Sequence, residues 1–236
     1  MQKKRDMQAW LENETFVFYL KMLICLCIMY IPFIGKYIRL LDTIFHEGGH
    51  VLCALLLRCR INKVNLFSNL AGDTRIVSSK GKTFFIALAG YPTSALAAFI
   101  AFAAISWNYS QYFIIALCVI LLLFLIFYIR NGFGIFWSIT FIALNAYMLY
   151  KNMPQLTDYV CQIYAFIIFI ESIVAVCQLF ILSLRNPRQA GDATVLADIT
   201  HIPAIVHALI FLAVNFTINI YTIKCFFPLG NLIPFF

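Results

Sequence analysis

The chain has 236 residues, of which 63% are hydrophobic and 11% charged, with 17 Lys and Arg against 10 Asp and Glu. A soluble domain carries about a quarter charged residues, so this composition excludes an ordinary soluble fold and points to a polytopic membrane protein. The formal charge of +7 calls for no nucleic acid, because membrane proteins keep Lys and Arg in cytoplasmic loops.

Residues 1–15 form a polar tail with Lys3, Lys4 and Arg5, expected to be cytoplasmic, and residues 16–236 form one membrane-embedded domain. Phe16 to Ile34 is an apolar run of spanning length. It is too long for a signal peptide and lacks a small-x-small cleavage site, so it is expected to be retained as a first span. Lys21 sits where it can snorkel towards the interface.

A short link with Lys36 and Arg39 leads into a second apolar segment, Leu40 to Leu57, that holds His46-Glu47-Gly48-Gly49-His50. Residues i and i+4 share a helix face, so His46 and His50 can reach one metal ion. Glu47, beside the first histidine, is placed to take a proton from water at that metal. Ionisable groups at membrane depth are costly and mark a functional site by default. Gly48 and Gly49 lower helix propensity by about 1 kcal/mol each relative to Ala. That cost implies close approach by a neighbouring helix or by substrate backbone.

Residues 58–82 are the most basic stretch, with Arg58, Arg60, Lys63, Arg75, Lys80 and Lys82. Ile61, Val64, Leu66 and Ile76-Val77 flank Asn69, Gly72 and Asp73, a pattern that fits a small β-hairpin or a solvated basic loop. Thr83 to Ser106 is an Ala-rich third span, expected to be broken at Gly90-Tyr91-Pro92; its small residues favour tight helix packing. Tyr112 to Ile129, Ile135 to Tyr150 and Tyr159 to Leu184 are further spans, the last containing Glu171. A polar island over residues 185–201 precedes the final span, Ile202 to Ile223. Within the island, Ala193 to Thr200 fits a short helix capped by Asp192. The expected architecture is all-α, with six or seven transmembrane helices and the hairpin or loop after the metal-binding helix.

Of the eight cysteines none forms a Cys-x-x-Cys pair, so neither thiolate zinc nor a disulfide framework is indicated. With the amino terminus in the cytoplasm and seven alternating spans, most Lys and Arg fall on the cytoplasmic side. His50 then lies about 12 Å below that interface, on the same side as Asp192. A bacterial cytoplasmic membrane suits so compact a chain.

A catalytic zinc takes three protein ligands and keeps one position open. Beyond His46 and His50, the third can come from Asp192, Asp198, His201 or Glu171. Asp192 is favoured, because a helix start lets a carboxylate reach inward without distorting the helix; capping its own helix is the competing role. Asp198 and His201 stand as alternative ligands or supporting groups, and His207 reads as an interior hydrogen-bonded histidine. Glu171 reads as a paired or protonated carboxyl between helices.

The segment His46-Glu47-Gly48-Gly49-His50 in an early membrane helix resembles the site-2 protease family of intramembrane zinc metallopeptidases. Gly72-Asp73-Thr74, Leu88-Ala89-Gly90-Tyr91-Pro92, Arg130-Asn131-Gly132-Phe133-Gly134 and Gly191 to Pro203 extend the likeness to its small B-like branch, which lacks a PDZ domain. The resemblance implies one zinc per chain held by His46, His50 and an aspartate, with Glu47 as general base. It also implies a membrane-spanning protein substrate cut within or near its transmembrane segment. The Leu-Asp-Gly of larger relatives is absent, and Gly191-Asp192-Ala193 stands in its place. Asn131 is a candidate for substrate binding on the same likeness. A catalytically inactive scaffold of this fold, and an ion- or proton-coupled transporter, are the alternative functions.

Overall fold

The computed structural model describes residues 14–228. The basic tail residues Lys3, Lys4 and Arg5 lie outside them. The described chain folds into eight α-helices and one hairpin. The order is α1 (Glu14–Met29), α2 (Ile34–Leu56), β1 (Arg60–Leu66), β2 (Gly72–Val77), α3 (Lys80–Ser106), α4 (Ser110–Phe127), α5 (Gly132–Tyr150), α6 (Pro154–Arg185), α7 (Gly191–Thr200) and α8 (Ala204–Phe226).

Five of these, α3 to α6 and α8, are long and apolar enough to cross a membrane. The first two apolar runs behave differently from two straight spans. The helices over Thr15–Met29 and Ile34–Leu56 meet at 103°, so together they add a sixth crossing if they count as one broken span. Pro32 explains the break, since it cannot donate the next helical hydrogen bond, and Phe33 turns the chain with φ 65°. The polar face of α2 explains its placement. Asp42, Glu47 and His50 are buried against protein, where a lipid-facing helix would leave them in hydrocarbon.

The central helix is α3, which contacts α2, α4, α6, α7 and α8. Ala95, Ala97, Ala98, Ala101, Ala103 and Ala104 are all buried, which lets its neighbours come close. On α2, Gly49 lies directly against Ala89 and Thr93, whereas Gly48 meets only the Phe124 ring. The expected break at Gly90-Tyr91-Pro92 does not occur, and α3 runs through Pro92. Side chains serve the carbonyls around it: Thr93 Oγ1 donates to Ala89 O (2.7 Å) and Asn215 Nδ2 to Tyr91 O (3.2 Å). The carbonyl that Pro92 leaves without its helical donor is that of Leu88, and these two contacts brace the turn beside it.

The basic stretch forms the hairpin. β1 and β2 are antiparallel, with Val64 opposite Thr74 and Leu66 opposite Gly72. The outer edge of β1 is already paired. Val64 exchanges hydrogen bonds with Tyr128 O (2.8 Å) and Arg130 N (3.3 Å). Asn131 completes the edge with its side chain, accepting from Leu66 N (3.0 Å) and donating to Leu66 O (2.5 Å). From α2, Thr43 Oγ1 donates to Leu70 O at 2.9 Å and fixes the turn.

Two intramembrane polar groups find definite partners. Glu171 on α6 receives both Nε (2.6 Å) and Nη2 (3.3 Å) of Arg39 on α2, a two-pronged pair. Lys21 on α1 donates to Gln162 Oε1 on α6 at 2.9 Å. Removing one member of a buried pair strands the other, at a cost of about 3–5 kcal/mol, whereas replacing both with apolar residues is close to neutral. Arg39→Met alone is therefore expected to destabilise the protein strongly, and Arg39→Met with Glu171→Leu to recover most of the loss. Thermal unfolding in detergent checks this. A double variant as unstable as the single one would refute the pairing argument.

Candidate metal centre

His46 and His50 lie one turn apart on α2, and α7 brings Asp192 to them from 142 residues away. The Nε2 atoms of the two imidazoles are 3.1 Å apart. Asp192 Oδ2 is 3.3 Å from His46 Nε2 and 3.4 Å from His50 Nε2. These three donors thus form a nearly equilateral triangle. Ligands in a tetrahedral zinc site, each 2.0–2.1 Å from the ion, stand about 3.3 Å from one another. Asp192 Oδ2 is buried and has no hydrogen-bond partner, a costly condition that a cation at the triangle would relieve. Among the described residues, this is the one group of three or more His, Cys, Asp or Glu side chains able to hold a metal ion.

The surroundings orient each donor. His50 Nδ1 lies 2.7 Å from Ile86 O, a contact that requires the proton on Nδ1 and leaves Nε2 as the electron-pair donor. The His46 ring sits edge-on to Tyr91, with centroids 4.6 Å apart. It occupies space that only glycine leaves at position 90, since a Cβ there would come within 2.5 Å of Cε1 and 2.8 Å of both ring nitrogens. Gly90→Ala is therefore expected to swing the imidazole out of the triangle and weaken zinc binding about 10- to 100-fold, the usual scale for a supporting contact. Competition with a chelator of known affinity measures this, and unchanged affinity would refute it.

Asp192 is the second residue of α7, not its cap. Ala190 holds the N-cap position, and Thr194 serves this helix start by accepting from Ala190 N (2.9 Å) and donating to Pro187 O (2.7 Å). That leaves the Asp192 carboxylate turned to the imidazoles.

The other candidates fall elsewhere. Asp198 is six residues further along α7, about 240° round the helix from Asp192, and lies outside the donor group. His201 ends α7 in the left-handed conformation (φ 60°) and is exposed. Neither joins the triangle. His207 bonds Thr200 Oγ1 at 2.8 Å, an interior partner. Asn131 does not line the cavity, since its amide completes the edge of β1.

A cavity of about 580 Å³ opens beside the triangle. β2 lines it through Gly72, Asp73, Thr74 and Ile76; α2 contributes Glu47 and Thr43. Glu47 is buried beneath β2, where its Oε2 accepts a hydrogen bond from the Thr74 hydroxyl. Its Oε1 lies under Gly72, where any side chain would collide with it. One residue was missed in the sequence. Asp42 is buried, lines the same cavity and accepts from Ser94 Oγ at 2.7 Å. Its place four residues before His46 was the available signal, because Asp42, His46 and His50 repeat at one-turn intervals.

The profile of the family described as Peptidase M50B-like matches residues 19–222. No curated protein and no solved structure matches the chain.

Proposed function

The chain belongs to the Peptidase M50B-like family, the site-2 protease kind of membrane metallopeptidase, and from that premise we propose that it is an intramembrane zinc endopeptidase. Its substrates in this reading are membrane proteins, cut within or near a transmembrane segment. The observation that carries the proposal is the triangle of His46, His50 and Asp192 with Glu47 beside it. Two imidazoles and one carboxylate would hold a zinc of the catalytic kind, which takes three protein ligands. When bound, zinc acidifies water and polarises a carbonyl.

The chain's own groups do the rest. The Glu47 carboxylate takes the proton of the attacking water and hands it to the nitrogen of the departing amine. His50 is kept in one tautomer by Ile86 O. β2, α3 and α7 wall the cavity in which the carbonyl would be held.

A substrate helix hides its carbonyls in its own hydrogen bonds and must unwind before it is cut. An unwound segment needs new partners, and a sheet edge supplies them. On β1 that edge is taken by residues 128–131, so proline substitution at Val64 to Leu66 probes an edge the fold already uses. β2 is the strand on the cavity. Val64 and Leu66 turn their N–H and C=O groups outward, so Thr74 and Gly72, opposite them, turn theirs outward on the other side. We assign the substrate strand to this edge.

The basic residues around 58–82, Arg130, and Arg185 with Arg188 share one membrane side, since two spans separate each group from the next. That side is taken as cytoplasmic, in a bacterial inner membrane, by the excess of positive charge. The amino terminus shares that side if α1 and α2 each cross, and lies on the opposite side if they form one broken span.

The test uses purified protein reconstituted with a single-span substrate. About one zinc per chain and cleavage that stops on chelation and returns with zinc are expected. A correctly folded but metal-free protein would overturn the reading.

A further inference from the structure

We propose that Thr74 is a positioning residue for Glu47, so that β2 places the general base with a side chain while it offers its backbone edge to substrate. This inference rests on the peptidase reading.

Two contacts bound the Glu47 carboxylate, and both come from β2: the Thr74 hydroxyl donates to Oε2, and the backbone of Gly72 lies over Oε1. Residues 72 and 74 are two apart, so they present to the same face of the strand. Glutamate has three side-chain torsions, and without these contacts its carboxylate would sample positions away from the histidines.

The two tasks of β2 do not compete. Side chains stand perpendicular to a sheet, whereas the backbone donors and acceptors lie in its plane. A substrate strand added at the edge therefore pairs with the N–H and C=O of Thr74 and leaves its hydroxyl on Glu47. The base is in place only while the hairpin is docked, and the docking contacts are specific: Thr43 on Leu70 from α2, and Asn131 on Leu66 from the α4–α5 connection. Asn131 thereby bears on the site through the hairpin.

The consequence is a split between kinetic constants. Thr74→Val keeps shape and β-propensity but removes the donor, so kcat is expected to fall about 10- to 100-fold, the scale for a hydrogen bond to a charged group. KM and zinc content should stay at the parent values, and Thr74→Ser, which restores the donor, should recover most of kcat. Val at parental kcat, Ser as impaired as Val, or a loss carried by KM or by zinc would each overturn the proposal.

A second measurement is independent of cleavage. Amide exchange across residues 72–77 is followed in Thr74→Val, Glu47→Leu and the double variant. If Thr74 holds Glu47, the double variant exchanges no faster than the faster single one. Additive increases would overturn the proposal whether or not the protein cleaves anything. A non-additive result in a protein that cleaves no substrate would leave the contact standing and refute the peptidase reading alone.

Discussion

Glu47→Gln is expected to suppress cleavage about 10²- to 10⁴-fold, the range a general base contributes, with zinc still bound. Glutamine has the shape of glutamate and keeps an oxygen for the Thr74 hydroxyl, so the packing of β2 on α2 should persist. What it lacks is the ability to take a proton near neutral pH. The three donors of the triangle are untouched, because Glu47 is not among them. Zinc content by elemental analysis and cleavage of a reconstituted substrate are measured on the same preparation. Cleavage at the parental rate would remove Glu47 from the mechanism. Loss of zinc in the variant would mean that Glu47 belongs to the ligand set.

The second large effect concerns Asp192. Zinc in small protein sites is bound with about 10–16 kcal/mol, so one ligand in three accounts for roughly 4 kcal/mol, or about a 10³-fold loss of affinity. Asp192→Ala is expected to show that loss, with cleavage failing at limiting zinc. Asp198→Ala should bind zinc as the parent does, because its carboxylate lies on another face of α7, away from the imidazoles. Comparing the two variants by chelator competition decides the third ligand. Zinc lost only in Asp198→Ala would overturn the assignment of Asp192, and unchanged affinity in both would require a ligand from elsewhere.

The family was legible in short-range pattern. His46, Glu47 and His50 lie within five residues, and helical periodicity alone fixes their relation. The apolar runs gave the helices because hydrocarbon forces any buried backbone to satisfy itself locally. The hairpin was readable from its alternation and turn residues, though only as an alternative to a basic loop. The misreadings have local causes. Pro92 reads as a break in isolation, but α3 is packed between α2, α6 and α8 and runs through it, with Asn215 from far along the chain bonded to the Tyr91 carbonyl beside it. The first two apolar runs read as ordinary spans by length, whereas the turn at Phe33 sets their helices at 103°.

By itself, then, the sequence determined a helical membrane protein with two histidines and a glutamate on one helix, since periodicity and hydropathy are properties of neighbouring residues. The arrangement of distant segments was settled only by tertiary structure. Asp192 joins the histidines because α7 packs against α3 and α6, and no spacing rule spans the 142 residues between His50 and that carboxylate. The same is true of β2 over Glu47 and of Asn131 on Leu66. Such contacts depend on which faces the packed helices turn to one another, which the local pattern of the chain does not encode.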